Sequence, residues 1–164
     1  MTSEFTIRGC GKPGDRSRLE RLGLPPKYIA QYTNSPPLYY ALMRLGICAS
    51  FFYLMTGQDA DKVLGTILLR KRFSLAARGY HWKIHAVYVD PELRGRGLGV
   101  ELVRFALGEL AGWRVAEVSL KVDEDNEPAI RLYRKCGFEE KEKANGQLIM
   151  VKTVEQARER RRLP

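Results

Sequence analysis

The chain has 164 residues, enough for one domain, and its composition is that of an ordinary soluble globular protein, 45% hydrophobic and 29% charged. No apolar run approaches the ~20 residues of a membrane-spanning helix, the first ten residues lack the pattern of a signal peptide, and three cysteines without metal-like spacing argue against a disulfide framework. The net charge of +9 asks for an anionic partner: nucleic acid, a membrane surface or a phosphate-bearing cofactor. Part of the excess sits in the terminal run "RERRRLP", Arg158 to Pro164, which reads as a solvated helix end.

In chain order, Phe5 to Arg8 reads as a short strand. "GDRSRLERLG" and "PPLYYALMRLG" read as short helices stopped at Gly23 and Gly46, joined by a stretch rich in proline and tyrosine. The apolar runs "ICASFFYLM" and "KVLGTILLR" flank a turn and predict an antiparallel hairpin. "YHWKIHAVYV" is a third strand. Strict alternation puts Trp82, Ile84, Ala86 and Tyr88 on one face and His81, Lys83, His85, Val87 and Val89 on the other, and this second, mixed face reads as a cleft wall.

Asp90-Pro91 ends that strand. The turn "RGRGLG" follows, with glycines at 95, 97 and 99, and a helix begins at once. Gly99, Leu102, Val103, Ala106 and Leu110 form its buried stripe, and Gly112 its stop. "VAEVSLKV" is a strand with Ala116, Val118, Leu120 and Val122 on one face. "DEDNEPAIRLYRKCG" is a helix with Pro128 in its first turn, Ala129, Leu132, Tyr133 and Cys136 inward, and a stop at Gly137. "FEEKEK" and "QLIMVKTV" around Asn145-Gly146 are a closing hairpin. The sum is an α+β chain, a mixed α/β sandwich around one sheet.

Three glycines where a strand meets a helix make an anion site. Free N–H groups point outward there, the helix dipole adds partial positive charge, and the missing side chains let a ligand approach the main chain. Two common phosphate strings are absent. G-x-G-x-x-G counted from Gly95 would need glycine where Val100 stands, and no G-x-x-x-x-G-K-[ST] occurs. What does match is R-x-x-G-x-G, at Arg94, Gly97 and Gly99.

With "HAVYVDPELRGRGLGVELVRFAL" and, about thirty residues on, "NEPAIRLYRKCGF" (Asn126, Ala129, Leu132, Tyr133, Gly137, Phe138), the sequence resembles the GNAT superfamily of acetyl-CoA-dependent N-acetyltransferases over roughly Lys62 to Val154. The resemblance implies one central, mostly antiparallel sheet with a splayed pair of strands and helices on both faces. It implies a single domain, 1–164, with acceptor-side helices and loops in 1–60, a cofactor-binding core in 62–154 and a basic tail in 155–164. Acetyl-CoA would be the cosubstrate and no metal is required. Its pyrophosphate would lie on Arg94, Gly95, Arg96, Gly97, Leu98 and Gly99, its pantetheine arm along the backbone of Val87 and Val89, and Asn126 would touch it.

The resemblance makes Tyr133 the acid that protonates the departing thiolate. A base is needed to free the attacking amine, and His81 and His85, on the strand before the turn, are the candidates. The glutamate that some members place five residues before the asparagine is Lys121 here, and Asp123 and Glu124 read as lying beyond the strand end. Cys136 and Cys48 read as buried structural thiols. The acceptor is an amine-bearing small molecule, a peptide N-terminus or a lysine, with Tyr28, Tyr32, Tyr39 and Tyr40 available to line its site. A cytoplasmic enzyme without membrane or nucleic-acid partners is expected, with a homodimer among the assemblies open to it. The alternatives are a non-catalytic CoA-binding module and a basic nucleic-acid-binding protein.

Overall fold

The computed structural model describes residues 5–9, 21, 48–57, 62–74, 79–112 and 115–154. The helices expected at 14–23 (Arg21 apart) and 36–46, the tyrosines at 28, 32, 39 and 40, and the tail at 155–164 lie outside the described residues. Seven strands form one sheet in the order β1-β2-β3-β4-β5-β7-β6. They are β1 (Thr6–Gly9), β2 (Cys48–Thr56), β3 (Val63–Ser74), β4 (Gly79–Val89), β5 (Glu117–Asp123), β6 (Glu139–Ala144) and β7 (Gln147–Thr153). Two helices are described, α1 (Leu98–Gly112) between β4 and β5, and α2 (Glu127–Lys135) between β5 and β6. Every strand pair is antiparallel except β4/β5. This is the expected α+β architecture.

The sequence explains most elements. The predicted α1 stripe, Gly99, Leu102, Val103, Ala106 and Leu110, is buried in full, as are Val118, Leu120 and Val122 on β5. Ala116 precedes β5 and is exposed. Asn145 (φ 52°) and Gly146 (φ 72°) both take positive φ in the tight turn joining β6 to β7. Both helices and five of the strands feed one apolar cluster that includes Met55, Ile67, Trp82, Leu102, Leu120 and Met150. On α2 the structure buries Ile130, which the predicted stripe omitted, and leaves Ala129 and Leu132 half-buried.

Strict alternation fails on β4. Leu68 pairs with Ala86 and Leu69 with Ile84, so the register skips His85. One extra residue reverses the phase of everything after it. Trp82 and Ile84 face the core before the bulge. Val87 and Val89 pack against it afterwards, in place of the expected Ala86 and Tyr88. The face once shared by His81, Lys83, His85, Val87 and Val89 therefore does not exist.

The parallel β4/β5 pairing is three residues long, Trp82–Val118, Lys83–Ser119 and Ile84–Leu120. Beyond Ile84 the strands part, as the splayed pair required. The Asp90 amide donates to the Leu64 carbonyl on β3 at 2.9 Å. Backbone groups alternate edges along a strand, so Val87 and Val89 direct theirs to the opening between β4 and β5.

Candidate active site

The opening leads into a cleft of about 600 Å³. Its floor is the end of β4, one wall is the turn entering α1, and the other is α2 with the loop before it. Asp90 shapes the way in. Its carboxylate accepts from the Glu92 amide at 3.0 Å and caps a single 3-10 turn, Pro91–Leu93, with proline in its first position. The Arg94 Nε then donates to the Val89 carbonyl at 3.2 Å, fastening the turn to the strand end.

The three glycines do different work. Gly95 (φ 78°) and Gly97 (φ 85°) hold a backbone region that other residues rarely enter, and a Cβ on either would meet open space. Gly99 has no such φ. A Cβ there would stand 2.5 Å from the Leu132 Cδ1, so its smallness lets α1 approach α2. The Gly97 carbonyl accepts from Val100 at 2.9 Å and Glu101 at 3.2 Å and opens the helix. Among the described residues, the amides of Gly95, Arg96, Gly97, Leu98 and Gly99 find no protein acceptor. They lie at the positive end of a 15-residue helix.

Charge reinforces this arrangement. Arg94, Arg131 and Lys135 line the cleft, and no carboxylate does among the described residues. Asn126 is the N-cap of α2. Its Oδ1 accepts from the Ala129 amide at 3.2 Å, which leaves its side-chain N–H₂ as a donor for the cleft it lines. Tyr133 is 8% exposed and lines the same cleft, its ring set edge-on to Phe138 at 5.9 Å between centroids.

Val87, Val89, Arg94, Gly95, Gly97, Leu98, Gly99, Asn126 and Tyr133 are thus brought together. Arg96 is exposed on the turn and outside the lining, and His81 (exposed) and His85 (half-buried, at the bulge) also lie outside it. Asp123 closes β5 and does not lie past it, and its carboxylate accepts from the Gln147 side-chain amide at 2.9 Å. Cys136 is buried with its Sγ 4.0 Å from the Val100 carbonyl, and burial pushes its thiol pKa up against the opposing pull of Arg104 and Lys152. It is a structural thiol and a poor nucleophile. Arg131 and Lys135 were missed. The available signal was their spacing with Pro128 and Leu132, which gives α2 a second stripe beside its core stripe.

A mixed sheet opened at one parallel pair, with an amide-lined glycine turn at the mouth, defines the class of fold. The chain belongs to the acetyltransferase (GNAT) family, whose model matches residues 19–138. A stretch of 74 residues, 44% of this chain, is 43% identical to an uncharacterized N-acetyltransferase of Methanocaldococcus jannaschii. A stretch of 89 residues, 54% of the chain, is 37% identical to the mycothiol acetyltransferase of Kocuria rhizophila. The matches span 32% and 29% of those proteins' own lengths. The fold is also that of the PaiA N-acetyltransferase of Thermoplasma acidophilum, solved in complex with coenzyme A (TM-score 0.65, 17% identity, covering 91% of this chain and 98% of that one). Among the described residues, no helix is long and apolar enough to cross a membrane.

Proposed function

We propose that the chain binds acetyl-CoA between β4 and β5 and transfers the acetyl group to a primary amine of a small molecule, a peptide N-terminus or a lysine. The observation that carries this reading is the turn of unpartnered amides, Gly95 to Gly99, of which Gly95, Gly97, Leu98 and Gly99 line a cleft with three cations and, among the described residues, no carboxylate. Such a turn fits a diphosphate. The outward-facing backbone of Val87 and Val89 fits an amide-bearing arm laid alongside as an added strand. The Val89 carbonyl is held by Arg94, so the Val87 groups and the Val89 amide are the ones left for it.

Bound here, acetyl-CoA supplies an activated thioester. The amides of the turn fix the diphosphate, and the edge of β4 orients the arm toward the narrow end of the splay. The Asn126 N–H₂ adds a directed donor. The Tyr133 hydroxyl delivers a proton to the leaving sulfur. One of His81 and His85 is retained as the relay that takes the proton from the amine, and both stand outside the lining of the cofactor cleft.

The test is a thermal shift with acetyl-CoA, NADH and ATP, followed by turnover of an amine and peptide panel with free CoA as the readout. A ligand bound only to the folded chain adds ~2.7 kcal/mol at 100 times its Kd, which is about 5–10 °C for a domain of this size. Acetyl-CoA is expected to give that shift and the other two much less. Equal shifts from all three would mean nonspecific anion binding and defeat the proposal.

A further inference from the structure

The short parallel contact between β4 and β5 has two unlike faces. On the face that carries α1 and α2, Trp82, Ile84, Val118 and Leu120 are buried in the apolar cluster. On the other face the same strands are polar. Lys83 is in register with Ser119 across the contact, and Arg70 of β3 is directly opposite Lys83. Lys121 is the first residue of β5 beyond the last pair, Ile84–Leu120, and alternation puts it on this second face. Its Cβ lies about 7 Å along the strand from that of Ser119. β3 and β4 contain no Asp or Glu from Val63 to Val89. β5 has two carboxylates on this face, Glu117 and Asp123, each three residues from Leu120, whereas Lys121 is next to it. Arg70 and Lys83 make other contacts already. Lys121 is exposed and, among the described residues, has no hydrogen-bond or ion-pair partner. The charged side chain of β5 nearest the point where the strands part is therefore an available cation.

We propose that Lys121 selects the acceptor, and that the acceptor is an amine with an anionic group, a carboxylate or a phosphate, close to its nitrogen. The inference rests on the acetyl-CoA reading above. The cofactor cleft opens on the face of α1 and α2, so an arm laid along β4 from that side brings the thioester to the narrow end of the splay. The amine then comes from the opposite face, past Lys121. A cation at that point attracts an acceptor flanked by negative charge and repels one flanked by further positive charge, which is selection by attraction and repulsion together. Lys121 does no covalent chemistry; it sets specificity. An acidic small amine and the N-terminus of an acidic peptide share the required chemistry.

Two matched acceptor pairs test the proposal and separate those sources: β-alanine against β-alaninamide, and Gly-Asp amide against Gly-Asn amide. The measurement is kcat/KM per neutral amine, with free CoA as the readout, for wild type, Lys121→Arg, Lys121→Met and Lys121→Glu. Wild type is expected to favour the acidic member of at least one pair by about fivefold, the upper range of one exposed ion pair, and the preference should shrink as salt rises. Lys121→Arg should keep it, Lys121→Met should bring it close to unity, and Lys121→Glu should invert it. The Kd for acetyl-CoA should not change, because Lys121 is outside the cleft lining. A lysine with a merely structural role would move both members of a pair alike. Wild type without a preference for the acidic member in either pair, or a preference that survives Lys121→Glu, overturns the assignment. Wild type that binds acetyl-CoA and acetylates none of the four amines defeats the transfer reading, and this inference with it.

Discussion

The two walls of the cleft are built by opposite means. The α1 wall offers main chain: five amides on a turn kept bare by glycine. The α2 wall offers side chains: the Asn126 amide group, the Tyr133 hydroxyl and two cations. Their tolerances follow. The first wall is damaged by adding atoms and hardly by removing them. The second is damaged by removing atoms, because each group there is an individual donor.

Gly97→Val should break the contrast open most widely. It adds a branched side chain where φ is 85° and the ligand would lie. Losing two charge-assisted hydrogen bonds at ~1.5 kcal/mol each weakens acetyl-CoA binding by about 100-fold or more, while circular dichroism should show a folded protein. A calorimetric Kd within threefold of wild type would mean that the diphosphate is not on this turn.

Tyr133→Phe makes the matching deletion on the other wall. It removes one oxygen and keeps the ring on Phe138. If the hydroxyl protonates the leaving sulfur, kcat should fall by ~100-fold, equivalent to ~2.7 kcal/mol, with acetyl-CoA affinity nearly constant. Turnover within threefold of wild type would remove Tyr133 as the acid.

Gly99→Ala probes the place where the walls touch. The new methyl forces Leu132 aside, an overpacking cost of about 1–3 kcal/mol partly offset by the ~0.5–1 kcal/mol gained on replacing a helical glycine. A Tm lowered by a few degrees is the expected outcome. An unchanged Tm would show that Leu132 yields freely. Arg94→Ala should be the mildest. The side chain is exposed and the amides remain, so acetyl-CoA affinity should drop by less than about fivefold. A loss as large as that of Gly97→Val would reverse the comparison and make the α1 wall a side-chain site.

The same comparison explains what could be read in advance. The glycine turn announces itself, because three costly residues crowd one spot and α1 follows with an uninterrupted 3.6-residue period. Their division of labour did not show: Gly95 and Gly97 are needed for φ, Gly99 for the approach of Leu132, and a string of letters does not separate the two reasons. The bulge at His85 was hidden for a related cause. No glycine or proline marks it, so strict alternation carried through and put Val87 and Val89 on the wrong face. On α2 a single inward stripe was expected, but a helix wedged between core and cleft has two. Ile130 was left out of the first, and Arg131 and Lys135 were left out of the second, because charged residues on a short helix read as solvated. Both histidines were singled out for their chemistry, and neither lines the cofactor cleft.

The three-residue contact between β4 and β5 has a mechanical meaning. The sheet is two antiparallel ribbons, β1–β4 and β5–β7, welded over a length far shorter than either. Inside the ribbons the ladders β2/β3, β3/β4 and β5/β7 run over seven to ten residue pairs, against three at the weld, and α1 is the segment of chain that spans it. Amides at the open end of β4 are therefore expected to exchange with solvent at a lower opening free energy than those deep in either ribbon. A ligand laid along that edge would supply the missing rungs and act as a splint.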